Sequence, residues 1–177
     1  MVRHFLSLLS ICVLCRSAVI NFKDIGGIVD DDSTATVWKN GKLLNATLAS
    51  MQPFDTLVFP EETFYVMGGI KASGLSSVIF QFDGNLVFSN NTNEWPKDEN
   101  GDVLECIYMN NIANVTFTSS RKDGKGVLDG NGLKWWGIPG LGYLRHTENR
   151  PRLLNIESSS NILVSASATG SAQQTDN

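Results

Sequence analysis

A spacing of eight residues, repeated three times between apolar positions, constrains this fold more than any other feature. Each copy is an apolar strand, a small polar corner and a second strand; the copies are Ile70–Val78, Ile107–Val115 and Leu154–Ile162. They start 37 and 47 residues apart, against a usual solenoid repeat of roughly 20–45 residues. Short strands cannot bury an apolar face alone, whereas stacked copies share one core and pair their backbones. The repeat therefore predicts a β-solenoid of parallel coils.

An antiparallel sandwich or barrel is the competing architecture. Short runs rich in β-branched and aromatic residues recur between Thr56 and Val164, separated by turn residues, as in all-β proteins generally. Asp83-Gly84 and Asp129-Gly130 are the hairpin turns that such a fold would use. The repeat favours the solenoid. The long polar stretches at 89–102 and 137–149 are then insertions within individual coils.

Glycine is concentrated in the segment 126–136, which reads Gly-Val-Leu-Asp-Gly-Asn-Gly-Leu-Lys-Trp-Trp. A helix is not expected here, because each glycine costs about 1 kcal/mol relative to alanine inside a helix. Val127-Leu128 predicts a short strand, and the residues from Asp129 to Gly132 predict a tight turn. Asp129 is thus interpreted as a turn residue rather than a catalyst.

One helix is predicted, from Ala35 to Ser50, directly after the acidic run Asp30-Asp31-Asp32. Its apolar residues at helical spacing are Val37, Leu44 and Leu48. The candidate N-caps are Asp32, Ser33 and Thr34. A calcium site is the alternative for the acidic run, but no glutamate follows at EF-hand spacing. We expect no metal site, and we expect the helix to cap the first coil, whose strand edge is otherwise unpaired.

The chain divides into three parts at the level of sequence. Residues 1–18 are predicted to be a signal peptide, because a basic start precedes an apolar run too short to span a bilayer; an N-terminal anchor helix is the alternative. Residues 19–164 form the expected partial β-helix domain, and 165–177 form a flexible polar tail. We therefore expect a secreted protein that is not membrane-associated once the signal is cleaved.

Secretion agrees with the sequons and is compatible with the cysteines. The glycosylation candidates are Asn45, Asn90 and Asn114. Cys106 is the one cysteine outside the predicted signal, and its strand-like setting predicts a buried free thiol. A net charge of −4 gives no basic patch, so nucleic acid is not an expected partner.

The order of these features resembles the N-terminal part of the polygalacturonase family, the family 28 glycoside hydrolases of the pectin lyase-like superfamily. The matching segments are 22–26, 57–65, 126–136 and 150–164. The resemblance implies a right-handed parallel β-helix, here the N-terminal coils with a capping α-helix, truncated at the C-terminal side. Two departures are the opening Gly26-Gly27-Ile-Val-Asp30, where the family has Gly-Ala-x-Gly-Asp, and the two insertions.

The resemblance also implies inverting hydrolysis of galacturonan, in which an acid protonates the leaving oxygen. A second carboxylate roughly 6.5–9.5 Å away activates water. The family draws these groups from Asn-Thr-Asp, Asp-Asp, Gly-His-Gly and Arg-Ile-Lys motifs, and none stands at a matching place here. The acidic run at 30–32 lies at the wrong end of the chain. His146 with Glu148 is a candidate acid–base pair, with a solvated loop as the alternative. No catalytic residue, cofactor or metal ligand is assigned.

Two functional classes follow. The first is a polygalacturonase-like glycoside hydrolase by resemblance, acting on pectin-like polysaccharide in the full-length family, with this chain lacking the catalytic coils and inactive alone. The second is a secreted non-catalytic β-helix module that binds polysaccharide or a protein partner. Its candidate sugar-stacking aromatics are Trp95, Trp135 and Trp136, for which core packing is the alternative. A pectate lyase would need calcium carboxylates that the sequence does not assign.

Overall fold

The computed structural model describes residues 17–121, 126–135, 150–165 and the backbone of 167–169. These residues form strands, one α-helix and a 3₁₀ turn at Gly132–Trp135. The helix α1 spans Thr34–Ser50. The strands are β1 (Val19–Asn21), β2 (Thr56–Phe59), β3 (Thr63–Val66), β4 (Ile70–Ser73), β5 (Ile79–Phe82), β6 (Asn85–Phe88), β7 (Ile107–Asn110), β8 (Ala113–Thr118), β9 (Val127–Asp129), β10 (Leu154–Glu157), β11 (Ser160–Val164) and β12 (Ser167–Thr169).

Each complete coil contributes one strand to each of three sheets. Sheet A has the order β1-β2-β5-β8-β11, sheet B the order β12-β9-β6-β3, and sheet C the order β10-β7-β4. All pairings between these strands are parallel. Asp83-Gly84 joins β5 of sheet A to β6 of sheet B and does not form a hairpin. The antiparallel alternative is therefore wrong, and the stacked parallel arrangement is confirmed.

The register of the sheets coincides with the eight-residue repeat. Ile107 pairs with Ile70 on one side and with Leu154 on the other. On sheet A, Ile162 pairs with Val115. The spacings of 37 and 47 residues are thus the lengths of two successive coils, and each of these coils includes one of the two insertions, 89–102 or 137–149.

The core lies inside the coils, where equivalent residues of successive turns stack. Phe59 and Phe82 are stacked with ring centroids 5.0 Å apart, and Phe80 and Phe117 repeat this at 5.1 Å. Phe22 covers the first coil and is fully buried, with its ring 5.1 Å from that of Phe59. Offset or tilted aromatic pairs at these distances add about 0.5–1.5 kcal/mol each beyond the area they bury.

The backbone conformation at the corner between sheets C and A accounts for the small polar residues in the middle of each repeat copy. Positive φ angles recur at each end of it, in the sets Gly74, Asn111, Ser158 and Ser77, Asn114, Asn161. Glycine and asparagine adopt this left-handed conformation at the lowest cost. Asn161 Nδ2 also donates to Asn114 Oδ1 at 3.0 Å, which ties the corners of adjacent coils together.

Helix α1 begins one residue before its predicted start and is continuous, as expected. Ser33 is the N-cap, and its side chain accepts from Thr36 N. Asp31 accepts from the Thr36 hydroxyl and from Ser33 N, and these hydrogen bonds lower the pKa of Asp31. Gly41 lets the helix approach its neighbour closely, because a Cβ there would lie 3.2 Å from Met67 O.

One strand lies within the segment 165–177 that the sequence predicts to be a flexible tail. Ser167–Thr169 forms β12 and pairs in parallel with Val127–Asp129. The residues are small and polar and carry no apolar alternation, but a parallel ladder is made by backbone groups and needs none. Residues 170–177, like the signal residues 1–16, lie outside the described part of the chain.

The corner between sheets A and B is held by close backbone contacts and by a buried carboxylate. Asp83 accepts from Ser120 N at 2.7 Å, from Ser120 Oγ at 2.8 Å and from Ser119 Oγ at 3.1 Å, all one coil away. Burial raises the pKa of Asp83, but these hydrogen bonds and one from Gln81 outweigh it and hold the pKa below its ordinary value. A Cβ on Gly126 would lie 1.7 Å from Phe82 O.

Gly126→Ala should therefore destabilise the protein by about 2 kcal/mol or more, because backbone atoms of two coils must separate. Gly130→Ala is the matched control in the same segment: its nearest contact would be Leu153 Cδ1 at an ordinary 3.4 Å. The free energy of unfolding from urea titration measures both variants. Equal stability of the two would contradict the close approach of the coils.

Candidate functional site

The two described tryptophans among the candidate sugar-stacking residues are buried. Trp95 is 3% exposed and Trp135 is 2% exposed. Their rings meet edge to face at 5.3 Å, and Trp95 Nε1 donates to Leu104 O at 2.7 Å. A sugar needs an open ring face, so the burial of these two rings favours the alternative of core packing. Trp136 lies outside the described residues.

Asp129 is a turn residue, as the sequence predicts. Its Oδ1 accepts a hydrogen bond from Asn131 N at 2.7 Å, and Asn131 has a φ of 46°. The carboxylate thus orders the entry to the 3₁₀ turn that leads to Trp135. The glycine-rich segment packs the insertion before Cys106 against the next coil and contributes a strand to sheet B.

Cys106 is a buried free thiol, which confirms the prediction. Burial, and secondarily the charge of Glu105, raises the pKa of this thiol well above its ordinary value. A thiol without thiolate character is a poor nucleophile. His146 and Glu148, the candidate acid–base pair, lie outside the described residues.

The three sequons occupy different settings. Asn114 is exposed at a coil corner. Asn90 is partly buried, and its Oδ1 accepts from Lys134 Nζ at 3.2 Å. Asn45 lies in α1, and its amide is hydrogen-bonded to the backbone of the β4 segment.

A cleft of about 330 Å³ opens over sheet C, below the insertion that precedes Cys106. It is lined by residues of β4, β7 and β10 and of that insertion: Gly69, Ile70, Lys71, Asp98, Val103, Leu104, Glu105, Tyr108 and Asn155. Its volume falls in the range of small-molecule sites, about 300–1,000 Å³. This cleft is the candidate functional site.

One outward-facing row crosses the floor of the cleft. Lys71, Tyr108 and Asn155 are register partners on three successive coils. Each follows the inward residue of its copy of the repeat, so alternation along the strand turns it outward. An ammonium group, a phenol ring and an amide thus stand side by side, about 4.8 Å apart along the stack.

Two carboxylates flank this row and already hold protein partners. Glu105 accepts from Arg152 N and from Asn155 Nδ2. Glu157 accepts from Tyr108 Oη at 2.9 Å and from Asn155 Nδ2 at 3.2 Å. The hydrogen bond to Glu157, followed by partial burial, raises the pKa of Tyr108. These groups order the cleft and link the coils.

The side chains that line the cleft are chemically mixed. Its mixture of an aromatic ring, a cation and hydrogen-bonding groups matches the polar, weakly apolar surface of a saccharide. In the described part of the chain, no group of three His, Cys, Asp or Glu side chains could hold a metal ion. Within the same residues, no helix is long and apolar enough to cross a membrane.

Two curated fungal proteins are similar in sequence to this chain. Both are named "Probable endo-xylogalacturonan hydrolase A", one from Neosartorya fischeri and one from Aspergillus flavus. The first is 33% identical over 112 residues and the second 33% over 115. Each match covers 62% of this chain and 25% of the relative, so the chain spans about a quarter of the relatives it matches. No protein-family model matches the chain.

Two solved structures share the fold. A family 28 exopolygalacturonase from Yersinia enterocolitica superposes with a TM-score of 0.51 at 16% identity, covering 84% of this chain and 34% of that one. A Parabacteroides merdae protein provisionally named a glycosyl hydrolase gives a TM-score of 0.53 at 13% identity, covering 82% and 62%. The predicted resemblance to the family 28 glycoside hydrolases is confirmed. It covers part of such a protein.

The cleft residues were missed at the level of sequence, although a signal for three of them was present. Lys71, Tyr108 and Asn155 each stand one place after the apolar start of the repeat. Because side chains alternate along a strand and the copies are in register, the residue after the inward start of each copy faces outward and lies beside its equivalent in the next coil. Glu105 carries no such signal, because its contact to Arg152 joins residues 47 apart in the chain.

Tyr108 should titrate above the ordinary tyrosine pKa of about 10. A carboxylate that accepts the phenol's hydrogen bond favours the protonated form, and its charge opposes the phenolate. The difference between the phenolate absorbance titrations of the wild type and Tyr108→Phe isolates this group. Glu157→Gln should bring the pKa down, whereas Glu105→Gln, the same charge change without that hydrogen bond, should shift it less. An unshifted pKa in the wild type would contradict the contact.

Proposed function

We propose that this chain is the N-terminal set of coils of a polygalacturonase-like glycoside hydrolase and has no hydrolytic activity by itself. The relatives are named as hydrolases of xylogalacturonan, and a pectin-like polysaccharide is accordingly the proposed substrate class of the whole protein. In this proposal the coils form a right-handed β-helix, because nearly all parallel crossover connections are right-handed.

The observation that carries the proposal is that the segments resembling the family 28 glycoside hydrolases form paired strands of the parallel coil stack. The segment 126–135, part of one of the segments that resemble the family, provides β9 and the turn after it. Asp129 is committed to that turn by its bond to Asn131. Asp98 and Glu105, which line the cleft, and Glu157 beside it each accept hydrogen bonds from other protein groups. An inverting hydrolase needs a carboxylic acid and a carboxylate that face each other across a bound sugar and a water.

The same proposal includes secretion and export processing. Residues 1–18 have the composition of a signal peptide, and the mature chain would start next to β1, at Val19. Ala18 N donates to the Asp55 carboxylate at 2.8 Å. Cleavage one residue earlier, after Ser17, would make Ala18 the new amino terminus and place its positive charge near that carboxylate, whereas cleavage after Ala18 removes this contact.

Residues 19–177 incubated with polygalacturonate or xylogalacturonan should release no reducing ends above a heat-treated blank. A complete family 28 polygalacturonase, assayed in parallel, is the positive control for the substrate. The physical reason is that Glu105 and Glu157, the carboxylates beside the outward row of sheet C, already accept hydrogen bonds from protein groups. Reducing ends that appear with this chain and scale with its concentration would contradict the proposal.

Polysaccharide binding without hydrolysis is the second candidate function, and the cleft over sheet C favours it. Lys71 is exposed and could pair with a uronate carboxylate, while Tyr108 offers a partly exposed ring. A charge-assisted contact of this kind contributes about 1.5–3 kcal/mol when it is well formed. Trp135 is unsuitable as a probe of binding, because truncating a buried ring damages the fold.

Isothermal titration with oligogalacturonides tests this second function. Lys71→Ala and Tyr108→Ala should each weaken binding about tenfold or more, in line with a loss of roughly 1.5 kcal/mol. Leu133→Ala is the control, since Leu133 is 76% exposed and is not part of the cleft. Methyl-esterified oligomers should bind less well than free acids. Undetectable binding to the folded wild type, or equal binding by all variants, would exclude the cleft as the site.

A further inference from the structure

The extended segment from β3 to β4 forms the outer edge of the first coil, and helix α1 supplies its hydrogen-bond partners. Asn40 Nδ2 donates to Tyr65 O at 2.9 Å, and Met67 N donates to Val37 O at 2.9 Å. Two residues after Met67, at Gly69, the side chain of Asn45 becomes the hydrogen-bond partner of this edge. An unpaired strand edge would otherwise leave these backbone groups without protein partners.

The Asn45 amide pairs with this edge at two points. Its Oδ1 accepts from Lys71 N at 2.7 Å, and its Nδ2 donates to Gly69 O at 3.2 Å. Both backbone groups lie on one side of Ile70, so the donated hydrogen is the one on the same side of the planar amide as Oδ1. The side chain thus reproduces the donor and acceptor that a preceding strand would present.

Asn45 is also the first residue of the sequon Asn45-Ala-Thr47. Glycosylation forms a bond between Nδ2 and C1 of a sugar, breaks the C1–O bond to a lipid pyrophosphate donor and releases the Nδ2 proton to a base. The resulting secondary amide is planar and trans, with its substituent on the same side as the oxygen. That position is the one from which Nδ2 donates to Gly69.

We propose that the Asn45 amide closes the outer edge of β4 and that a glycan at Asn45 and the docking of α1 exclude each other. The folded, secreted protein therefore carries its glycans at the other sequons, chiefly at Asn114. Thr47, the hydroxyl residue of the same sequon, is 6% exposed, and its hydroxyl donates to Leu43 O at 2.9 Å. Once α1 is docked, this sequon is therefore inaccessible to a transferase.

Asn114 differs from Asn45 in each of these respects. It is exposed at a coil corner, with a φ of 55°. Its side chain accepts from Asn161 Nδ2 through Oδ1, so the atom that would carry a sugar is not the atom in that contact. A glycan there would extend from the outer surface of the coils.

Glycan occupancy tests the proposal directly. The full chain, expressed behind a host secretory leader in eukaryotic cells, is treated with an amidase that converts each glycosylated asparagine to aspartate. Peptide mass spectrometry then reads the three sequons in the folded, monodisperse fraction. Asn45 should be essentially unmodified and Asn114 occupied. Substantial occupancy of Asn45 in that fraction, or an unmodified Asn114, would overturn the assignment.

A second measurement, made on unglycosylated protein from bacteria, separates the edge contact from the sugar. Asn45→Ala should lower Tm by about 2–8 °C, because two backbone groups lose their partner while the helix gains a better helix former. Lys42→Ala, an exposed change on the same helix, should leave Tm nearly unchanged. An unchanged Tm for Asn45→Ala would refute the closing role of this amide.

Discussion

Backbone pairing between strands of successive coils, 37 and 47 residues apart in sheet C, is the constraint on which the rest of this structure depends. Because Ile70, Ile107 and Leu154 share one register, every inward side chain lies on its equivalent in the next coil. The same register requires left-handed corner residues and a glycine at 126, where two coils come into backbone contact. The two long insertions, 89–102 and 137–149, both fall between a strand of sheet B and the next strand of sheet C, so they do not interrupt the ladders.

The first coil of a stack has an unpaired strand edge, and side chains of helix α1 form hydrogen bonds with the backbone of that edge. Asn40 bridges Ile28 and Tyr65, and Asn45 pairs with the backbone around Ile70. A buried amide with all its partners stabilises, whereas one deprived of a partner costs about 1–3 kcal/mol. The helix is thus joined to the solenoid by specific polar contacts as well as by its apolar face. The cleft over sheet C begins on the same strand, β4, and continues over β7 and β10 along the outward row that the register creates.

Much of the fold could be predicted because it is local and periodic. The strand positions follow from the apolar spacing at Ile70, Ile107 and Leu154, and the turn at Asp129 follows from its own residues. Contacts between distant residues could not be predicted in this way. Trp95 and Trp135 are 40 residues apart and bury each other, and no local pattern distinguishes such a pair from exposed rings. The bonds of Asn45 and Glu105 likewise depend on which segments the coils bring together.

Nuclear Overhauser contacts among the methyl groups of Ile70, Ile107 and Leu154 test the parallel register most directly. The stacked coils predict contacts from Ile107 to both of the others, with none between Ile70 and Leu154, which lie two coils apart at about 9.6 Å. The amide protons of β5 and β6 should show no cross-strand contacts with each other. Cross-strand contacts across Asp83-Gly84, or an Ile107 that meets neither partner, would contradict the coil stack and the functional reading built on it.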